Sequence, residues 1–142
     1  EIFKRAVLGM AGACNDVLEM QGVRPEDIAL VIPHQANLRI IEAVAKRAGV
    51  GMDRVFVNVQ KYGNMSAATV PVALVEALEE GRVPPGALLL MPAFGAGLTW
   101  CAHLVRWGER VTPKGLSDAE LPPAQQTALE IVQALRAGKR AD

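Results

Sequence analysis

The sequence predicts a layered α/β domain, with helices packed on a mostly parallel mixed sheet that ends in a C-terminal hairpin. Three observations lead there. Stretches with apolar residues spaced at three and four alternate with short apolar runs, in the order α, β, α, β, α, β, β. The first of those runs is continuously apolar, as a strand covered on both faces must be. Glycine or proline punctuates most of the junctions. A chain of 142 residues, 51% apolar and 21% charged, has the length and composition of one domain with a real core.

Residues 1–20 lack proline and space Val7, Met10, Ala11, Cys14, Val17 and Leu18 as one apolar helix face. The helix opens without an initiator Met or a cap, which predicts that the natural protein continues upstream of Glu1. After the turn at Gly22, residues 28–32 form a first strand, stopped by Pro33. Residues 38–48 form the next helix, with Leu38, Ile40, Ile41, Val44, Ala45 and Ala48 on one side and Arg39, Glu42, Lys46 and Arg47 on the other. Residues 55–59 alternate and are rich in valine, predicting a second strand. Residues 67–80 form a third helix with Pro71 early in it, where a missing N–H costs least. Residues 87–91 form a third strand, and 98–107 a long fourth one beyond the Phe94-Gly95-Ala96-Gly97 segment. From Gly108 the chain turns polar and proline-bearing. Ser117-Asp118-Ala119-Glu120 fits a capping box loosely, and Leu129, Val132 and Leu135 or Arg136 mark a last, weakly amphipathic helix.

Fifteen basic side chains balance fifteen acidic ones, which argues against bulk binding of nucleic acid. Reading 65–75, which carries Ser66, Thr69 and Pro71, as the longest nearly uncharged run leaves it well short of the ~20 residues of a membrane span, so neither a span nor a membrane partner is expected. Two cysteines cannot build a disulfide scaffold, and no charged-then-apolar leader is present; a reducing, cytoplasmic setting is the expectation. No Cys/His spacing matches a zinc site, and neither a metal nor a cofactor is expected.

Right-handed crossovers lay the first three strands parallel, so the loops that follow them open at one edge of the sheet. Those loops hold Pro33-His34-Gln35-Ala36-Asn37, Tyr62-Gly63-Asn64-Met65-Ser66 and Phe94-Gly95-Ala96-Gly97. A neutral imidazole N–H, a carboxamide NH₂ and the backbone N–H groups of a glycine-rich turn are uncharged donors that can converge on one oxygen. With no carboxylate close to His34 in sequence, a Ser-His-Asp relay is not favoured. Taken alone, His34 reads more readily as a structural loop residue, Asn64 as a turn residue and Asn37 as a helix cap.

Three blocks change that balance: Val31-Ile32-Pro33-His34-Gln35-Ala36-Asn37-Leu38-Arg39-Ile40, Tyr62-Gly63-Asn64-Met65-Ser66-Ala67-Ala68, and Ala93-Phe94-Gly95-Ala96-Gly97-Leu98-Thr99-Trp100. In order and spacing they resemble the C-terminal half of β-ketoacyl-acyl carrier protein synthase III, over roughly residues 2–107. The resemblance implies a thiolase-like half-domain at 1–108, with 109–142 a linker and short helix about which it says nothing. It further implies a decarboxylative condensation of an acyl-coenzyme A or acyl-carrier-protein primer with malonyl-acyl carrier protein. By the same resemblance His34 and Asn64 match the pair that stabilises the enolate. The backbone at Gly95 and Ala96 matches the oxyanion hole, with Ala96 standing where the family often has glycine. Asn37 and Phe94 would line the substrate channel, and Arg39, Lys46 and Arg47 fall where acidic acyl carrier protein docks, although their ordinary reading is a solvated face.

The family's acylated cysteine belongs to an N-terminal half that is not in this chain, so the chain alone is expected to be inactive. A homodimer is implied, its contacts drawn largely from that other half. Cys14 and Cys101 are expected to be inert and buried, and His103, mid-strand, to be structural. Two rivals stand beside this reading: another thiolase-like acyltransferase, and a docking domain that binds acyl carrier protein without chemistry.

Overall fold

The structure, a computed structural model, describes residues 1–113, 115, 118–120 and 125–138. It begins with α1 (Ile2–Gln21), whose face of Ala6, Val7, Met10, Ala11, Cys14 and Leu18 is buried. Gly22 ends the helix in the left-handed region (φ 62°), where its N–H reaches Glu19 O and that of Val23 reaches Leu18 O at 2.9 Å.

The regular part of the first strand, β1, is only Leu30–Val31, paired in parallel with β2 (Leu88–Gly95). The ladder nevertheless runs further. Ala29 N–H donates to Leu88 O, Ile32 N–H to Leu90 O, and His34 N–H to Pro92 O at 2.8 Å. The expected second strand at 55–59 is reduced to one parallel bridge, Val31 with Val55, plus the Phe56 N–H to Val31 O bond. Its last residue instead opens a short helix, α3 (Val59–Tyr62), so the sheet is not extended on that side. β2 then turns back into β3 (Thr99–Arg106), an eight-row antiparallel ladder from Gly95–Thr99 to Leu88–Arg106. The sheet order is β1-β2-β3, one parallel and one antiparallel pair, hence mixed. The third strand runs on through Pro92 to Gly95, past the expected end at Met91.

The sheet alternation sends side chains into two cores. Val31 and Leu90 point to the side of α1 and α2 (Leu38–Arg47), joining Met10, Cys14, Ile41 and Val44. Leu30, Ile32 and Leu89 point to the opposite side, where Ala73 and Ala77 of α4 (Thr69–Glu79) and Phe56 cover them. The continuous apolar run at 28–32 is thus buried on both faces, as its composition required. Pro71 sits in the first turn of α4, which a 3₁₀ turn at Ser66–Ala68 precedes.

The longest uncharged run is in fact 83–105 rather than 65–75, and it is folded mainly as the β2–β3 hairpin. No helix among the described residues is long and apolar enough to cross a membrane. The tail carries α5 (Ala128–Gly138) at the expected place. Its cap is Thr127, which exchanges hydrogen bonds with Glu130; the loose capping-box match at 117–120 includes Ser117, which lies outside the described residues, as do Pro122 and Pro123.

Candidate active site

A cleft of about 910 Å³ opens at the carboxyl edge of the sheet. His34, Asn64, Ser66, Phe94, Gly95, Ala96 and Gly97 line it, with Ile2 and Ala6 of α1 and Ile40 of α2. His34, the turn of Asn64 and Ser66, and the β2–β3 turn approach from three separate segments, and local bonds hold each in place. The His34 backbone is zipped to Pro92, which leaves its ring half-buried at the floor. Nδ1 of that ring lies 2.5 Å from the hydroxyl of Thr69, the fully buried first residue of α4. Burial lowers the His34 pKa from its ordinary value, which favours the neutral ring over the imidazolium.

Asn64 Oδ1 accepts the Ser66 N–H at 2.9 Å. Because a backbone N–H can only donate, this bond assigns the oxygen and leaves the NH₂ end for other partners. Ser66 itself has φ 56°, a left-handed conformation that costs a non-glycine residue of order 1 kcal/mol and shapes the turn carrying Asn64. Across the cleft, the β2–β3 turn has Gly97 at φ 76° and Leu98 at φ 57°. Thr99 Oγ1 donates to Ala96 O at 3.2 Å and braces it.

Gln35, which the sequence reading did not single out, holds two of these loops together. Fully buried, it donates Nε2–H to Pro33 O and Phe56 O, and its Oε1 accepts from Asn58 N and Val59 N. The amide therefore ends the strand-like segment at 56 and starts α3. A second unanticipated cluster stands behind it: the Glu76 carboxylate accepts from Asn58 Nδ2 (2.7 Å), Tyr62 Oη (2.5 Å) and Lys61 Nζ. Desolvation alone would raise the Glu76 pKa, but bonds from Lys61, Tyr62 and Asn58 outweigh it and bring the carboxyl down to about 2. No spacing rule joins Gln35, Thr69 and Glu76 to His34, so nothing short of the fold could have found them.

The remaining residues divide. Asn37 caps α2, accepting the Arg39 N–H at 3.0 Å, and stands beside the cleft rather than in its lining. Arg39, Lys46 and Arg47 are exposed on α2, with the Arg39 guanidinium 5.9 Å from the Phe3 ring centre. Cys14 is buried as expected, and burial pushes its thiol up to about 12. Cys101 contradicts expectation, being exposed and part of the cleft lining, and His103 is exposed as well. Both follow from alternation along β3: Ala102 and Leu104 pack into the core beneath α1, so their neighbours face the other side of an edge strand.

With this geometry in hand, the chain can be set beside known proteins. Residues 18–107 match the family model for the C-terminal region of 3-oxoacyl-[acyl-carrier-protein] synthase III. The chain belongs to that family. A β-ketoacyl-[acyl-carrier-protein] synthase III 2 of Vibrio cholerae is 57% identical over 132 residues, 93% of this chain and 36% of the relative. The synthase III of Aquifex aeolicus is 56% identical over 107 residues, 75% of this chain and 35% of its own. The crystal structure of the Aquifex enzyme superimposes with a TM-score of 0.74 over 75% of this chain, and that of a Thermus thermophilus synthase III with 0.74 at 50% identity over 78%. The chain thus spans about a third of the length of the synthase III relatives it matches. The thiolase-like fold of these enzymes is its fold.

Proposed function

We propose that this chain is the C-terminal catalytic portion of a synthase III-type condensing enzyme, which joins an acyl thioester primer to malonyl-acyl carrier protein with loss of carbon dioxide. The observation that carries the reading is that His34 and Asn64, 30 residues apart in sequence, line one cleft beside the turn at 95–97. As carbon dioxide leaves the malonyl group, negative charge builds on the thioester oxygen. Nε2–H of His34 and the NH₂ of Asn64 are the donors for that oxygen, and each such preorganised donor is worth ~3–4 kcal/mol in a dry site. A neutral ring suits this task, since it must donate without taking up the proton of a base.

The backbone N–H groups at Gly95 and Ala96 serve the acyl-transfer step, where the Ala96 methyl narrows the pocket but keeps the N–H. Phe94 forms the wall, and Asn37, between the cleft-lining Ala36 and Ile40, borders the channel. Arg39, Lys46 and Arg47 receive the acidic carrier protein. The nucleophilic cysteine comes from an N-terminal half, so the 142 residues alone do not condense; Cys14 is too buried for that work. The working form is a cytoplasmic homodimer. Residues 1–108 are the catalytic portion and 109–142 an appended linker and helix. The 132-residue match with the Vibrio cholerae relative necessarily reaches into that tail.

The test uses the full-length protein that contains this sequence, with radiolabelled malonyl-acyl carrier protein and acyl-coenzyme A primers. His34→Ala and Asn64→Ala should each abolish decarboxylation while acylation of the upstream cysteine persists. Equal loss of both steps would remove the role assigned to them. Carrier-protein binding without any turnover by the wild type would favour the docking-domain rival.

A further inference from the structure

Behind the His34 ring, outside the cleft lining, lies a group that the foregoing roles leave out. Thr69 is fully buried, stands on the rigid first turn of α4, and brings its hydroxyl to 2.5 Å from Nδ1 of His34. We propose that Thr69 is the positioning residue of His34, donating its hydroxyl proton to Nδ1 so that the neutral ring presents a protonated Nε2 to the cleft. The inference rests on the donor role given to His34 above and specifies how the ring is held to it.

A neutral imidazole carries one proton, and whatever binds one nitrogen decides where that proton sits. A carboxylate at Nδ1 can only accept; it would hold the proton there, leave Nε2 bare and favour a general base. A hydroxyl is different, because it can donate. The Thr69 hydroxyl has a second acceptor within reach, Ser66 O at 3.1 Å, a carbonyl that also takes the backbone N–H of Thr69 and has a lone pair for each. The hydroxyl carries one proton, and the shorter of its two contacts, to Nδ1 at 2.5 Å, is the one that takes it; were the proton on Ser66 O instead, Nδ1 would carry the ring proton, the outcome the experiment below distinguishes. An uncharged partner also does nothing to favour the imidazolium, which agrees with a ring whose pKa burial lowers. The ring is fixed at both ends of its attachment, by Thr69 at Nδ1 and by the backbone bond to Pro92 O, so Nε2 has one direction to face.

The test is nitrogen NMR on the full-length protein labelled with ¹⁵N-histidine, His34 being assigned by difference from His34→Gln. At neutral pH the wild type and Thr69→Ser should show a neutral ring protonated at Nε2, and Thr69→Val should show a mixture or the opposite tautomer. Thr69→Val should also slow malonyl decarboxylation ~10–100-fold, the scale on which lost outer-shell partners of an imidazole act, while Thr69→Ser restores it and cysteine acylation stays unchanged in both. A wild-type ring protonated at Nδ1 would overturn the proposal, and so would an unaltered tautomer and rate in Thr69→Val. The wild-type tautomer decides the matter even where Thr69→Val does not fold. Absence of decarboxylation by the wild type would instead strike the condensing-enzyme reading, which the nitrogen shifts do not depend on.

Discussion

Burial turns ordinary side chains into specialised ones at this site, and Glu76 shows how. Its carboxylate sits nearly out of water, held ionised by Lys61, Tyr62 and Asn58 at the back of the loop that carries Asn64. The folded pKa of about 2 lies below the ordinary 4.5, so the stabilisation is fully present above 4.5 and is lost as pH falls from there toward 2. In acid titrations followed by circular dichroism, wild type should exceed Glu76→Gln in stability at neutral pH, and the gap should shrink across that window. A constant gap would mean that the ion pair contributes nothing specific. The neighbouring polar atom Asn58 Oδ1 is buried without a partner among the described residues, one more sign that this cluster holds position at some cost.

Elements meet at the site through polar side chains more than through apolar ones. Gln35 is the case in point, since one amide ties the His34 loop to Phe56 and starts α3. Replacing it by alanine strands two backbone N–H and two C=O groups, and Gln35→Ala should cost about 2–4 kcal/mol in denaturant unfolding. A cost under ~1 kcal/mol would show that water replaces the amide without loss. The same residue explains why the strand expected at 55–59 is a single bridge: alternation in Val55, Val57 and Val59 describes a strand, but the N–H groups of Asn58 and Val59 are taken by a side chain. α1 and β3 meet differently. Gly9 lies under the Trp100 ring, where an added Cβ would come within 2.6 Å, so this contact depends on the absence of a side chain.

For the whole molecule, a formal net charge of zero gives no bulk attraction for an acidic partner, so the proposed docking of one depends on a local patch. If Arg39, Lys46 and Arg47 receive the carrier protein, Arg39→Glu should raise KM for malonyl-acyl carrier protein in the full-length enzyme, and more at low salt than at high salt. An effect indifferent to salt would assign the loss instead to the Arg39–Phe3 stacking contact. The exposed apolar side chains beside the cleft, among them Ile2, Leu8, Leu98 and Trp100, lie on the α1 and β2–β3 side of the molecule.

The sequence by itself determined the longer helices, the doubly buried first strand, the hairpin and the loops that bring His34, Asn64 and the 95–97 turn to one sheet edge. Apolar spacing and parallel crossovers are local or topological rules, and a linear reading has access to them. Only the tertiary structure decided which residues support those loops, which face of β3 exposes Cys101 and His103, and that a threonine rather than a carboxylate meets the histidine ring. Such contacts join positions tens of residues apart, and the partner of a buried polar atom is chosen by proximity in the fold, which no spacing in the chain records.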